Sequence, residues 1–197
     1  MEEGPEPQEL FEQVERNLEE KESEAAKKRF VMRSAITASI LAVCAALGSL
    51  LSGHAANEAI LKQAEASDQW SFYQAKSMKT HIFEGNKDVV VAIAAEEGRS
   101  DSPQLAKVVK QFDERIAKYS KEKDDIQKDA QNIQKLSASE FEEHQRYSLG
   151  VACFQIGIVL ASVAIMVSSP WLYFGSIGAG VVGVLFLING LMLTAKI

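Results

Sequence analysis

The chain has 197 residues, of which 47% are hydrophobic and 24% are charged, and its formal net charge at pH 7 is -6. Charged residues are almost absent from 34–56 and 148–193 but frequent elsewhere. This distribution excludes a soluble fold built around a single hydrophobic core. An acidic chain without a basic patch is not expected to bind nucleic acid. Cys44 and Cys153 lie in apolar runs, so we expect two small buried side chains rather than a disulfide or a metal-ligand pair.

The first predicted element is an acidic tail, residues 1–33, that contains an amphipathic helix. Its apolar residues share one side of an otherwise charged helix: Leu10, Phe11, Val14, Leu18 and Ala25. The many glutamates disfavour binding to an anionic lipid surface. The open alternatives are self-association, a partner protein, or a solvated tail.

The apolar run 34–56 is the first predicted membrane span, because ~20 helical residues cross a hydrocarbon core of ~30 Å. The acidic segment ahead of it indicates an uncleaved signal anchor rather than a cleaved signal peptide. Basic residues directly before the span predict a cytoplasmic N-terminus, with 57–147 on the opposite side: Lys27, Lys28, Arg29 and Arg33. Ala38, Ala42 and Ala46 are candidate helix-packing residues. Ser49 and Ser52 are candidate polar contacts within the membrane.

Residues 57–147 are predicted to form a helical extramembrane domain. A helix from about residue 34 to 83 is expected to stop at Gly85-Asn86, and a short helix over 88–97 is expected to cap the far end. Pro103 is placed to start a second long helix that continues into the next span. This helix carries a heptad seam, which predicts a coiled coil, at Leu105, Val109, Phe112, Ile116, Tyr119, Ile126, Ala130 and Ile133.

The two arms of this stalk are predicted to be unequal, ~48 Å outward and ~66 Å back, at a rise of 1.5 Å per residue. Residues 84–103 are expected to cover the difference. A long two-helix stalk buries little apolar surface per residue, so we expect it to pack against further copies of the chain. The sequence therefore predicts a homo-oligomer.

The second and third spans are 148–167 and 171–193, and Ser168-Ser169-Pro170 separates them as a tight helical hairpin. Candidate helix-packing residues have small side chains at close spacing: Gly157, Ala161, Gly175, Ala179 and Gly183. Gln155 and Asn189 are the polar residues inside these spans, and we expect them at equal depth, in contact with each other or with Ser49 and Ser52. The chain is thus predicted to be an all-α, three-span membrane protein.

A long motif begins where the first span ends. The stretch 53–59, GHAANEA, followed by 63–77, QAEASDQWSFYQAKS, resembles the bacterial membrane family catalogued as domain of unknown function 4337. The resemblance covers nearly the whole chain, in the order anchor, motif, long helix and helical hairpin. It implies a bacterial inner-membrane protein, and it carries over no activity, cofactor or catalytic residue.

Polar residues of this motif are predicted to meet polar residues of the returning helix just above the bilayer. The candidate juxtamembrane network is His54, Asn57, Glu58, Glu140 and His144. Hydrogen bonds and ion pairs are the favoured interpretation, and a divalent metal site is the alternative. His81 is expected to be solvated and to have no partner.

Three functions are compatible with this pattern. The favoured one is a non-catalytic, homo-oligomeric assembly or scaffold protein that binds lipid, its own copies, and another protein through its tail or stalk. The alternative is a homo-oligomeric channel, lined by hydroxyl residues of the first span or by the glycine-rich third span. An enzyme is disfavoured because the sequence shows no nucleophile–base pair, phosphate loop or strong metal motif, and no cofactor is expected.

Overall fold

The structure, a computed structural model, describes the backbone of residues 7–194 and the side chains of residues 15–193. Within that range the chain forms three helices and no strand: α1 (Pro7–Glu96), α2 (Pro103–Val167) and α3 (Pro170–Thr194). Each helix contains a stretch long and apolar enough to cross a membrane. The all-α class and the three apolar helices are therefore confirmed. The side chains of Leu10, Phe11 and Val14, predicted for the amphipathic tail, lie outside the described residues.

Helix α1 continues through Gly85-Asn86, where the sequence predicts a break. The prediction of a turn at Gly85-Asn86 and of a separate short helix over 88–97 was wrong, since α1 ends at Glu96. A glycine inside a helix costs only ~1 kcal/mol relative to alanine. Half-buried Phe83, Lys87 and Val90 continue the packed face on both sides of Gly85 and outweigh that cost. The two arms are consequently almost equal in length, and no cap is needed.

The connection between α1 and α2 is a short turn closed by hydrogen bonds at both ends. The Arg99 amide donates to the Ala94 carbonyl (2.8 Å), the Gly98 amide donates to the Ala95 carbonyl (3.1 Å), and Gly98 has a φ of 67°. This is the Schellman arrangement, in which glycine adopts the left-handed conformation at low cost. The Ser102 hydroxyl accepts from the Leu105 amide (3.1 Å), and Pro103 occupies the first helical position, as predicted.

The contacts divide the chain into two units. The span unit consists of residues 1–54 and 143–197, and the hairpin unit consists of residues 55–142. Each unit has its own packed interior.

In the span unit, α1, α2 and α3 pack around Leu41, Ala45 and Phe154, with Cys44, Ile158 and Leu187 against them. Glycines bring the helices close together. A Cβ atom added to Gly157 would lie 3.1 Å from the Ser176 carbonyl oxygen, and one added to Gly150 would lie 3.0 Å from that of Gly183. Close backbone approach of this kind is how helices associate where lipid supplies no hydrophobic drive.

The turn between α2 and α3 consists of Ser168 and Ser169, as the proline at position 170 predicts. Ser168 adopts a positive φ of 52°, and the Ser169 amide donates to the Ala164 carbonyl (3.1 Å). This is a second Schellman-type end, here with a serine in the conformation that glycine adopts at lower cost.

In the hairpin unit, α1 and α2 run antiparallel and pack along a continuous seam. All eight seam residues predicted on α2, from Leu105 to Ile133, are buried or half-buried. Helix α1 faces them with residues that also alternate three and four apart and that are all buried or half-buried: 59, 62, 66, 69, 73, 76, 80, 83, 87, 90 and 94. Ala66 and Ala130 are almost completely buried, so the two backbones approach closely at these alanines.

Candidate functional site

Ser52, His144 and Ser148 form a partly buried polar cluster where α1 and α2 meet near the end of the apolar run. His144 Nδ1 lies 2.9 Å from the Ser52 carbonyl oxygen and 2.9 Å from Ser52 Oγ. Ser52 Oγ also lies 2.8 Å from Ser148 Oγ. Glu143 and Tyr147, which precede His144 and Ser148 in the sequence, are buried. We call it the Ser52 cluster.

The geometry of the Ser52 cluster fixes the tautomer of its histidine. A carbonyl oxygen only accepts, so Nδ1 of His144 must carry the proton that it donates to the Ser52 carbonyl. That carbonyl belongs to a helix, and a second donor on it ties α2 directly to the backbone of α1. The cluster therefore connects α1 to α2 through hydrogen bonds.

The predicted juxtamembrane network is only partly assembled. His144 makes the contacts just described, and Glu140 is half-buried and has a partner of its own. His54 and Asn57 are exposed, Glu58 is half-buried, and none of these three makes a hydrogen bond or ion pair within the described part of the chain. Ser52, predicted only as an intramembrane contact, is the residue that pairs with His144. No group of three or more His, Cys, Asp or Glu side chains converges as metal ligands among the described residues.

The polar residues predicted to meet inside the spans do not meet. Ser49, Gln155 and Asn189 are all exposed on the outside of the span unit. Contacts of the neighbouring glycines place Gln155 level with about Val181, and Asn189 level with Tyr147. Seven to eight residues on a helix correspond to ~11 Å of depth, so the expectation of equal depth was wrong. Gln155 lies near the middle of the second apolar run and has no hydrogen-bond partner among the described residues.

The predicted helix-packing residues fall into two groups. Gly157, Ala161 and Gly183 are buried, and Ala38 and Ala179 are half-buried, so these five pack within the span unit. Ala42, Ala46 and Gly175 are exposed and contribute little to that interior. Within the described part of the span unit, the buried positions on α1 are Ser34, Leu41, Ala45, Gly48 and Ser52. Leu41 and Ala45 each lie one residue before Ala42 and Ala46, so the predicted alanine stripe leaves the packed face after Ala38.

The outer half of the hairpin unit has charged and aromatic contacts that the sequence did not reveal. Phe83 stacks on Tyr119, with ring centroids 5.7 Å apart, and the Arg115 guanidinium lies 5.4 Å from the Phe83 ring centre. Lys76 donates to Glu122, and this hydrogen bond, more than the charge of Lys76, lowers the pKa of Glu122 below its usual 4.5. The charged partners Lys76, Arg115 and Glu122 connect α1 to α2 from positions that a binary apolar pattern does not mark.

Two further polar contacts lie near the tip of the hairpin unit. Lys87 Nζ lies 2.8 Å from Asp113 Oδ1, and this hydrogen bond raises the pKa of Lys87 above its usual 10.5. His81 Nδ1 lies 3.1 Å from Glu84 Oε2 on the same helix. The expectation that His81 has no partner was therefore wrong, although its side chain is exposed as expected.

Comparison with known proteins places this arrangement in a family. A family model described as "Domain of unknown function (DUF4337)" matches residues 30–193. The chain belongs to this family. No curated protein and no solved structure matches it.

The DUF4337 match includes every feature described above. Residues 30–193 contain the three apolar stretches, the Ser52 cluster and the whole hairpin unit, and they exclude only the acidic tail and the last few residues. The family assignment that the resemblance implied is confirmed. The description of the family states no activity.

Proposed function

We propose that this DUF4337 chain is a non-catalytic, homo-oligomeric membrane assembly protein that holds a helical stalk on one side of the bilayer. The observation that supports the proposal is that polar side chains of the chain bond one helix to another. His144 bonds the backbone of α1 at Ser52, Ser137 donates to the Ala59 carbonyl (2.8 Å), and Lys76 pairs with Glu122. Each of them connects one helix to another, which is what a structural element requires.

In this proposal the three apolar stretches cross the inner membrane of a bacterium. In this topology the tail lies in the cytoplasm and the hairpin unit in the periplasm, and the basic residues just before the first stretch support it. Lipid and further copies of the chain are the immediate partners, and another protein binds through the tail or the stalk. Labelling single cysteines in a Cys44→Ala, Cys153→Ala background with an impermeant maleimide tests this topology. Lys118→Cys should react in intact spheroplasts, and Glu20→Cys only after permeabilisation.

The oligomer count of the full chain in lipid tests the proposed function. Single-molecule photobleaching of labelled protein in vesicles, at several protein-to-lipid ratios, should give one discrete number of two or more. A monomer at all ratios would contradict the proposal. A ring with a central opening that conducts ions, with conductance lost on bulky substitution of Ser39 and Ser49, would replace the scaffold by a channel.

A further inference from the structure

The two helices of the hairpin unit differ completely on the sides that they turn away from each other. On α1, the residues opposite the buried seam are spaced three and four apart and are all exposed: Leu61, Ala64, Asp68, Ser71, Ala75, Met78, Ile82, Gly85, Val89 and Ala92. We call this set the α1 back face. Nine of its ten residues are uncharged. Leu61 and Met78 are exposed to 62% and 66%, so these side chains find no cover within their own chain.

The side of α2 opposite the seam provides a solvated face of the same hairpin for comparison. At the same spacing it presents only polar and charged residues, all exposed: Lys107, Gln111, Glu114, Lys118, Lys121, Asp125, Lys128, Asn132 and Lys135. Both faces belong to helices of the same unit and are equally remote from its seam. The difference is therefore a property of α1 alone, and it indicates that the α1 back face is not built to face water.

The composition of the α1 back face suits contact with another helix. Its large members, Leu61, Met78, Ile82 and Val89, are separated by small ones such as Ala75 and Gly85. An alternating spacing of three and four over nine intervals corresponds to a seam ~46 Å long at 1.5 Å per residue. Small residues between large ones let a partner helix approach closely and receive its side chains between them. A seam of this length requires a partner that is itself a long helix with the same spacing.

We propose that the α1 back face binds the α1 back face of a second copy, in parallel, about a two-fold axis that runs along the stalk. This proposal rests on the proposed homo-oligomer and names its interface. Two copies in one membrane point the same way, so their α1 helices are parallel and in the same register. An isologous contact of this kind is complete with two copies, and the polar α2 back faces remain on the outside of the pair.

Asp68 gives the pairing a specific signature. It is the one charged residue of the α1 back face, and the two-fold axis places it opposite its own copy. A polar residue at a single seam position fixes the register of a coiled coil at a cost in stability. Parallel pairing in register therefore makes Asp68 a weak point of the interface, whereas an unrelated or shifted partner would not place two Asp68 carboxylates side by side.

Disulfide trapping of the full chain in lipid vesicles tests the contact. In the cysteine-free background, Ala75→Cys on the α1 back face should form a covalent dimer on mild oxidation. Lys118→Cys, equally exposed on the α2 back face, is the matched control and should remain largely monomeric. A trapped dimer with Lys118→Cys but not with Ala75→Cys would overturn the proposal, and so would covalent capture of a different protein by Ala75→Cys in native membranes.

Substitutions then distinguish this interface from oligomerisation as such. Ile82→Lys should weaken association in vesicles by about tenfold or more, because it places two unpaired charges in the seam, while Lys121→Ile on α2 should not. Asp68→Asn should strengthen it by roughly threefold, since it removes a like-charge pair. Helical content reports that the exposed substitutions leave the fold intact. Oligomers unaffected by Ile82→Lys would refute this interface and leave the proposed function standing, whereas a monomeric parent chain would refute both.

Discussion

The span unit and the hairpin unit join antiparallel helices by different means. In the span unit, backbones approach closely at glycines, and the polar contacts between helices include the Ser52 cluster and a hydroxyl pair formed by Thr37 and Tyr173. In the hairpin unit, side chains fill the seam, and its edges carry ion pairs and cations over aromatic rings. In the proposed topology, lipid surrounds the span unit and water surrounds the hairpin unit, and the difference in packing follows from these two solvents. Lipid gives no hydrophobic drive between apolar helices, while water gives one and also tolerates charge at the edges.

The largest effect is expected from adding bulk where the helices of the span unit touch. Gly183→Val should destabilise the protein by about 3 kcal/mol, because overpacking a tight interior forces backbones apart. Its Cβ atom would lie 2.7 Å from the Phe154 ring and 3.0 Å from the Gly150 carbonyl oxygen. Gly178→Val, where nothing lies within 4 Å, is the control. Thermal unfolding in detergent micelles measures both, and equal melting temperatures would contradict the glycine-mediated packing.

The next effect concerns the Ser52 cluster. His144→Leu should cost about 2 kcal/mol, because it removes the donor to the Ser52 carbonyl and leaves buried polar atoms less well bonded. Ser52→Ala should cost about 1 kcal/mol, since the carbonyl bond survives. The nearby, exposed Ser49→Ala should be close to neutral and provides the comparison in the same unfolding assay. If all three variants unfolded alike, the cluster would not fasten the helices.

A smaller effect of opposite sign is expected at the turn between α2 and α3. Ser168→Gly should stabilise the protein by roughly 0.5–1 kcal/mol, because glycine adopts a positive φ without the steric cost that serine bears. Ser169→Gly, at a position without positive φ, should give no such gain. A lower melting temperature for Ser168→Gly would show that the left-handed conformation is absent.

The smallest effects are expected from the ion pairs of the hairpin unit, because solvent near the surface screens the attraction between exposed charges. The lowered pKa of Glu122 means that its pair with Lys76 stabilises the folded state above pH 4.5 and that this contribution disappears as the pH falls through the folded pKa. The raised pKa of Lys87 means that its pair with Asp113 contributes below pH 10.5 and is lost at higher pH.

Double-mutant cycles over pH check both pairs. The coupling between Lys76→Gln and Glu122→Gln should vanish on the acid side, and that between Lys87→Gln and Asp113→Asn on the alkaline side. Coupling that did not change with pH in these windows would contradict the assignment of the two pairs. High salt should weaken both couplings, as expected for exposed charges.

Much of this architecture follows from local chemistry, and the exceptions have physical causes. Pro103, Gly98 and Pro170 lie at the ends of helices. Proline lacks an amide donor that the first helical turn does not need, and glycine adopts the positive φ that follows a helix. The prediction of a helix end at Gly85 was wrong because contacts with α2 outweigh the lower helix propensity of glycine, a difference of ~1 kcal/mol.

The side chains of the candidate site were harder to predict than the helices. Helix α1 packs with alanine, lysine, glutamine and threonine at its inward positions, so a binary apolar pattern does not reveal its seam. Ser52 and His144 are 92 residues apart in sequence, and their pairing depends on the register of α1 against α2. The outward position of Gln155 depends on how each span is rotated. Neither register nor rotation is determined by the residues of one helix alone.

The two-residue turn between α2 and α3 has a consequence for the synthesis of the chain. Because the connection is only two residues long, we expect the second and third apolar stretches to enter a bilayer together, as one helical hairpin.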